Sequence, residues 1–415
     1  MRAIFLGLWF LLNVYSGFSQ LQKEVEPPFH IKTAAFFQDG KMVLPMFQLN
    51  DNFHFEFDDL HGDEADYYFE IVHCDYDWKK SELAKAEYLN GVDGQRIQDY
   101  LTSFNTVQLY CHYRMPFPNR FMSFRVSGNY IIQILNSDRE VVFSRKFVIY
   151  EDRVSVPMVI KRPRTLKDIE YKQNVEFSIK SQDILFQAPL QNVKVWLLKN
   201  GDFKTGITNI KPQYTIGNDL IYRYDKETQF WGGNEYRFFE NKDIRAANNF
   251  IAKIESKETY IAYLYPDNAR ANQPYTYAPD VNGIYQVQNL NSQNNAVEAD
   301  YAWVYFRLVA PTYMGNDGVY INGMFNNWSL APEFKMDYNT EGGYFEKALI
   351  LKQGFTNYQY VIASENGKID YENAPDGNFY QTENNYFALV YYRENGQRYD
   401  RIIGKGSASS IDISN

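Results

Sequence analysis

Five side chains able to bind a metal or exchange electrons fall in two short blocks. His73, Cys74 and Asp75 stand together in ADYYFEIVHCDYDW (65–78), and Cys111 and His112 in RIQDYLTSFNTVQLYCHYRMPFPN (96–119). Imidazole and thiolate are ligands that zinc favours, and two thiols in an exported chain invite a disulfide. The elements that carry them decide what they can do. Both blocks alternate like strands, and neighbours along a strand project to opposite faces. His73 then shares a face with Phe69 and Ile71, and Cys74 with Tyr68 and Glu70. Cys111 goes with Leu109 and Tyr113, and His112 with Tyr110. Four ligands do not converge from such a pattern, so neither a metal nor a cofactor is expected. A Cys74–Cys111 disulfide stays open. Alternation sets the thiols on different faces, whereas a break after His73 would let them meet.

No other nucleophile or acid–base arrangement stands out. GxSxG and SxxK are absent, and the five histidines are scattered. Carboxylates are plentiful, but no pair is marked as a glycosidase couple. Gly232 and Gly233 sit in a turn with no helix after it to receive a phosphate. The expectation is a protein without catalytic residues.

Residues 1–19 read as a secretory signal: Arg2, then a short apolar run, then Gly17 and Ser19 before a cleavage site near Ser19. No later stretch reaches the length of a membrane helix. The net charge of −9 argues against nucleic acid. Aromatic residues form 17% of the chain, 35 of them Tyr and 31 Phe, and with Val and Ile they favour strands. Short alternating segments separated by turn residues predict an all-β chain of sandwich domains. SELAKAEYL (81–89) is the best helix, with Ser81 as its N-cap. The expected units are a first domain over 20–151, a middle domain over 152–295, a C-terminal domain over 296–404 and a disordered tail over 405–415.

HCDYDW, the SFNT and HYR segments, SGNYII (127–132) and QFWGGNEYRFFENKDIR (229–245) follow one another in an order that resembles the plug proteins of the bacterial type IX secretion system. The resemblance implies a periplasmic protein that binds the outer-membrane translocon barrel and sterically closes its periplasmic opening, without inserting in the membrane. It singles out His73, Cys74, Asp75, Trp78, Tyr110, His112, Tyr113, Gly233, Asn234 and Glu235. Their role is either to hold the fold or to meet the partner.

The segment 319–362 resembles glycogen-binding and isoamylase N-terminal modules of the immunoglobulin-like E-set class, through Gly323, Phe325, Asn326, Asn327 and Trp328. QTENN (381–385) resembles their sugar-site loop. That implies a glycan surface of Asn327, Trp328, Tyr371, Thr382 and Asn384. Val361 replaces a usual basic residue there, and a second tryptophan is missing near Tyr371, so a retained fold without sugar binding is favoured. An exported glycan-binding accessory protein is the alternative function.

Overall fold

The computed structural model describes residues 23–310 and 317–413. The signal segment lies outside the described residues. The described residues are all-β, with only short helical turns among them. Among the described residues no helix is long and apolar enough to cross a membrane.

The first sandwich joins two sheets. Sheet A runs Lys41–Val43, Ile31–Gln38, Phe53–Asp59, Cys111–Phe117, Asp99–Thr102; sheet B runs Met46–Gln48, Val141–Tyr150, Gly128–Leu135, Tyr68–Cys74. The strand FHFEFDD shows why they close. Phe53, Phe55 and Phe57 point inward and are buried, while His54, Glu56 and Asp58 occupy the other face. Phe36, Phe47, Phe53, Phe55, Phe57, Phe117, Phe143 and Phe147 fill the space between the sheets. Each fully buried ring contributes about 1.5–3 kcal/mol before entropy is set against it.

The middle sandwich pairs sheet C (Val193–Lys199, Asn385–Tyr392, Arg401–Ser409) with sheet D. Sheet D runs Met158–Lys161, Lys172–Ile179, Asp219–Tyr222, Tyr214–Ile216, with Gln229–Trp231 also on Lys172–Ile179. Sheet C is apolar on both faces. Val195, Leu197 and Val390 face sheet D. Trp196, Leu198, Leu389, Tyr391 and Ile402 face sheet B, where Val72, Cys74, Ile131 and Val148 meet them. Sheets A, B, C and D therefore form one four-layer stack.

The third sandwich spans residues 237–363. Sheet E contains Ile251–Ser256, Tyr260–Leu264, Tyr301–Val309, Tyr344–Lys352 and Asp337–Asn339. In sheet F, Gly354–Ala363 pairs with Arg237–Glu240, Tyr285–Val287 and Gly318–Asn322.

Three sequence expectations change. The unit boundaries at 295 and 404 do not follow the strand pairing: Asn385–Tyr392 pairs with Val193–Lys199 over seven residues, so the third sandwich is an insertion within the middle one. The segment expected to be a disordered tail continues the strand Arg401–Ser409 and ends in a turn whose Ser410 is buried. The helix over 81–89 shrinks to Lys85–Tyr88, because the Ser81 hydroxyl bonds the His73 ring at 2.8 Å instead of capping a helix.

Candidate functional site

The singled-out residues do not gather around one cavity. Most sit at the joints between the three sandwiches, whereas His73 and Tyr113 enter the core of the first.

The HCDYDW block forms the joint between the first and middle sandwiches. The strand ends at Cys74 and a tight turn follows, with Asp75 N–H donating to Lys79 O at 2.8 Å and Trp78 N–H to Asp75 O at 2.9 Å. That turn leaves Trp78 in the left-handed region at φ 60°, a conformation costing about 1–2 kcal/mol. Packing holds it there: Trp196 and Phe203 lie edge-on at 5.8 and 5.9 Å, and the Lys146 ammonium sits 4.5 Å above the indole. The Tyr76 hydroxyl donates to Val195 O at 3.0 Å and accepts from Asn209 N–H at 2.9 Å. Asp75 binds Arg393 at 2.9 Å and the Asp400 N–H at 3.1 Å.

His73 faces the other way, into the core of the first sandwich, beside Tyr88 and Tyr130. Burial pushes its imidazole down to about 4, against smaller opposing effects of the Ser127 carbonyl and Asp400. Gly128 is required beside it, because a Cβ there would lie 2.3 Å from His73 Nε2.

Cys74 and Cys111 are both free and buried. Cys74 lies between sheets B and C, and Cys111 between sheets A and B. The disulfide is thereby corrected: alternation holds to the end of the strand at Cys74, and the two thiols belong to different layers. Burial pushes the Cys74 thiol up to about 12.

Tyr110 and His112 form the joint between the first and third sandwiches. The Tyr110 hydroxyl donates to the carbonyls of Ala296 and Ala299, at 3.1 and 2.8 Å. His112 Nδ1 lies 2.7 Å from Asp58 Oδ1. On the other oxygen, Asp58 accepts from Lys352 Nζ and the Tyr301 hydroxyl, both at 2.6 Å. Burial alone would raise the Asp58 carboxyl, but Lys352 and His112 outweigh it and hold it below the usual carboxylate range. Tyr113, one residue on, turns inward and stacks on Phe57 at 5.0 Å.

WGGNEY forms the joint between the middle and third sandwiches. A Cβ on Gly232 would lie 2.1 Å from Phe379 O, so only glycine fits. Gly233 O accepts from the Phe379 N–H at 2.9 Å and from Thr382 Oγ1 at 2.8 Å, and Asn384 Nδ2 donates to Gly232 O at 2.8 Å. Asn234 Nδ2 donates to Asp376 O at 2.8 Å. Glu235 is 1% exposed and accepts from the Glu383 N–H at 3.0 Å and from the Tyr275 hydroxyl. Burial raises its carboxyl, and Tyr275 opposes that.

Sequence reasoning missed the charged partners Asp58, Lys352, Arg237 and Asp376. Arg237 bridges Asp267 and Asp376, both at 2.6 Å, and Arg270 adds a third contact to Asp376 at 2.9 Å. A signal was available for Asp58. It alternates with buried phenylalanines, so its face is the one opposite the core.

The residues of the glycan surface implied by the second resemblance do not form one open face. Thr382 and Asn384 are buried around the Gly232–Gly233 turn. Asn327 donates to Glu24 at 3.2 Å. Trp328 is 7% exposed and its indole N–H bonds the Tyr236 hydroxyl, so it presents no open stacking face. Trp328 and Tyr371 do line a cleft of about 1140 Å3 between the middle and third sandwiches, with Lys199 and Trp231 on its other wall. Burial lowers the Lys199 ammonium to about 8, and its head group donates to the Trp231 carbonyl at 2.9 Å.

With this geometry established, residues 31–151 match the family described as Type 9 secretion system plug protein 1st domain. The first sandwich belongs to this family of type 9 secretion system plug first domains. The matched range is the first sandwich, from the start of Ile31–Gln38 to just past Val141–Tyr150. A crystal structure of a hypothetical protein from Parabacteroides merdae ATCC 43184 is similar to this chain over 93% of its length and 98% of the other's. The two share 31% identity, with a TM-score of 0.88. No curated protein matches the chain.

Proposed function

We propose that this protein works in the periplasm as a steric plug: it binds the outer-membrane barrel of the type IX translocon and closes its periplasmic opening, with no catalysis. The observation that carries the reading is the family match over the first sandwich, combined with the use of its signature residues as joints. A plug must keep its shape against a wide opening. Two sandwiches stacked through a shared apolar layer, with a third locked by buried charge pairs, form the kind of body that resists bending.

The test is co-purification. The full chain, tagged at its C-terminal end, is extracted from envelopes in mild detergent, and bound proteins are identified by mass spectrometry. A stoichiometric outer-membrane protein of very high mass is expected. Elution of the chain alone from the periplasmic fraction overturns the proposal.

A further inference from the structure

His30, Asp59 and His61 converge at one end of sheet A, beside the joint between the first and third sandwiches, where Leu60 packs with Tyr110 and Tyr301. His30 lies in the turn entering Ile31–Gln38, Asp59 ends Phe53–Asp59, and His61 follows in the next turn. The backbone fixes this placement. Ile31 pairs with Asp59 across the ladder, and the Leu60 N–H donates to His30 O at 2.8 Å. Ligand atoms from the three side chains all lie within 4.8 Å of one another. The imidazole centroids are 4.2 Å apart, and His61 Nδ1 is 3.0 Å from Asp59 Oδ1.

We propose that these three residues bind a divalent transition-metal ion of the zinc class. Two imidazoles and one carboxylate make the borderline nitrogen–oxygen set that zinc accepts, with ligand bonds of about 2.0–2.2 Å. Tetrahedral ligands at that radius sit about 3.3 Å apart, so the donors must close by about 1.5 Å at most. The His61 side chain is 64% exposed and can supply that movement by rotating. Asp59 cannot move far and need not. It is 1% exposed, and the Tyr67 hydroxyl donates to its Oδ2 at 2.8 Å, leaving Oδ1 turned toward His61. A hydrogen bond of this kind orients a ligating carboxylate. Three protein ligands would leave the fourth position of a tetrahedral zinc for water or for an added ligand.

The experiment is isothermal titration of the untagged full-length mature chain with zinc chloride, with circular dichroism as a folding control. One equivalent is expected to bind with a micromolar or tighter Kd. His61→Ala and His30→Ala should each weaken binding at least tenfold, and Tyr67→Phe about tenfold through loss of the carboxylate's orientation. His61 is exposed, so H61A should fold, and His61→Gln provides a second variant of similar size. Copper(II) in place of zinc gives an independent readout. Its electron paramagnetic resonance spectrum should show two coupled imidazole nitrogens in the natural chain and one in H61A. Absence of zinc binding, or binding of unchanged affinity in both His61 variants, overturns the proposal. Neither result bears on the plug reading, which does not use this site.

Discussion

At the residue scale, the joints turn ordinary side chains into fixed ones, and that has measurable consequences. His73 is neutral in the folded chain, with its imidazole lowered to about 4 by burial, whereas an unfolded histidine titrates near 6.5. The unfolded state therefore takes up a proton first as pH falls. Stability is fully present above pH 6.5 and is lost between there and pH 4, by about 2 kcal/mol at pH 5 and about 3 kcal/mol by pH 4. Urea unfolding across that range checks it, and His73→Gln should flatten this part of the slope. The thiols supply a second test. A reactive cysteine needs thiolate and access; burial raises both Cys74 and Cys111 and leaves neither. Ellman's reagent should label neither in the native protein and both after denaturation. A native chain carrying a disulfide would contradict the structure.

At the element scale, charge pairs act as bolts between sandwiches. Asp58→Asn leaves Lys352 buried without its anion and should cost about 3–5 kcal/mol, read as a shift in the urea midpoint. Another element is built for display. The segment from Leu101 to Leu109 leaves Leu101, Phe104, Val107 and Leu109 at 49–62% exposure. Yet its backbone is tied to the third sandwich, with the Val107 and Gln108 N–H groups on the Asp300 carboxylate at 2.6 and 3.0 Å. An apolar group held rigid in water is a common mark of a contact surface. Phe104→Asp with Leu109→Asp should abolish barrel co-purification while leaving the melting temperature nearly unchanged; retained co-purification places the contact elsewhere.

Elements also show what was legible beforehand. Alternation in FHFEFDD and YYFEIVHC discloses strands and their faces without help, and it sets Cys74 and His73 on opposite sides. The partner of NYFALVYYR is another matter. Its pairing with Val193–Lys199 closes a loop of nearly two hundred residues, which local pattern does not encode. A hint was present: VKVWLLK and NYFALVYY are nearly continuous apolar runs, the mark of strands covered on both faces. The joints were legible as residues but not as joints. Asp58 and Lys352 are far apart in sequence, and a buried ion pair has no local signature.

At the scale of the whole molecule, the insertion of the third sandwich makes the middle one depend on distant strands. Ending the chain before Asn385 removes two of the three strands of sheet C and uncovers the apolar face of sheet B. Such a chain should lose cooperative unfolding and become sensitive to protease. The intact chain should melt as one unit, with calorimetric and van't Hoff enthalpies in agreement; separate transitions would show that the layers act independently.

The shared layer between sheets B and C also bears on synthesis. A chain is made from its N-terminus, so the first sandwich can assemble while the strands that cover Val72, Ile131 and Val148 have yet to be polymerised. During that interval it carries a sticky flank of the sort that draws nascent chains into aggregates. Val193–Lys199 supplies Trp196 and Leu198 early, but the cover is complete only with Arg401–Ser409. Expression yield should therefore respond to holdase chaperones and to translation speed more strongly than the final stability suggests.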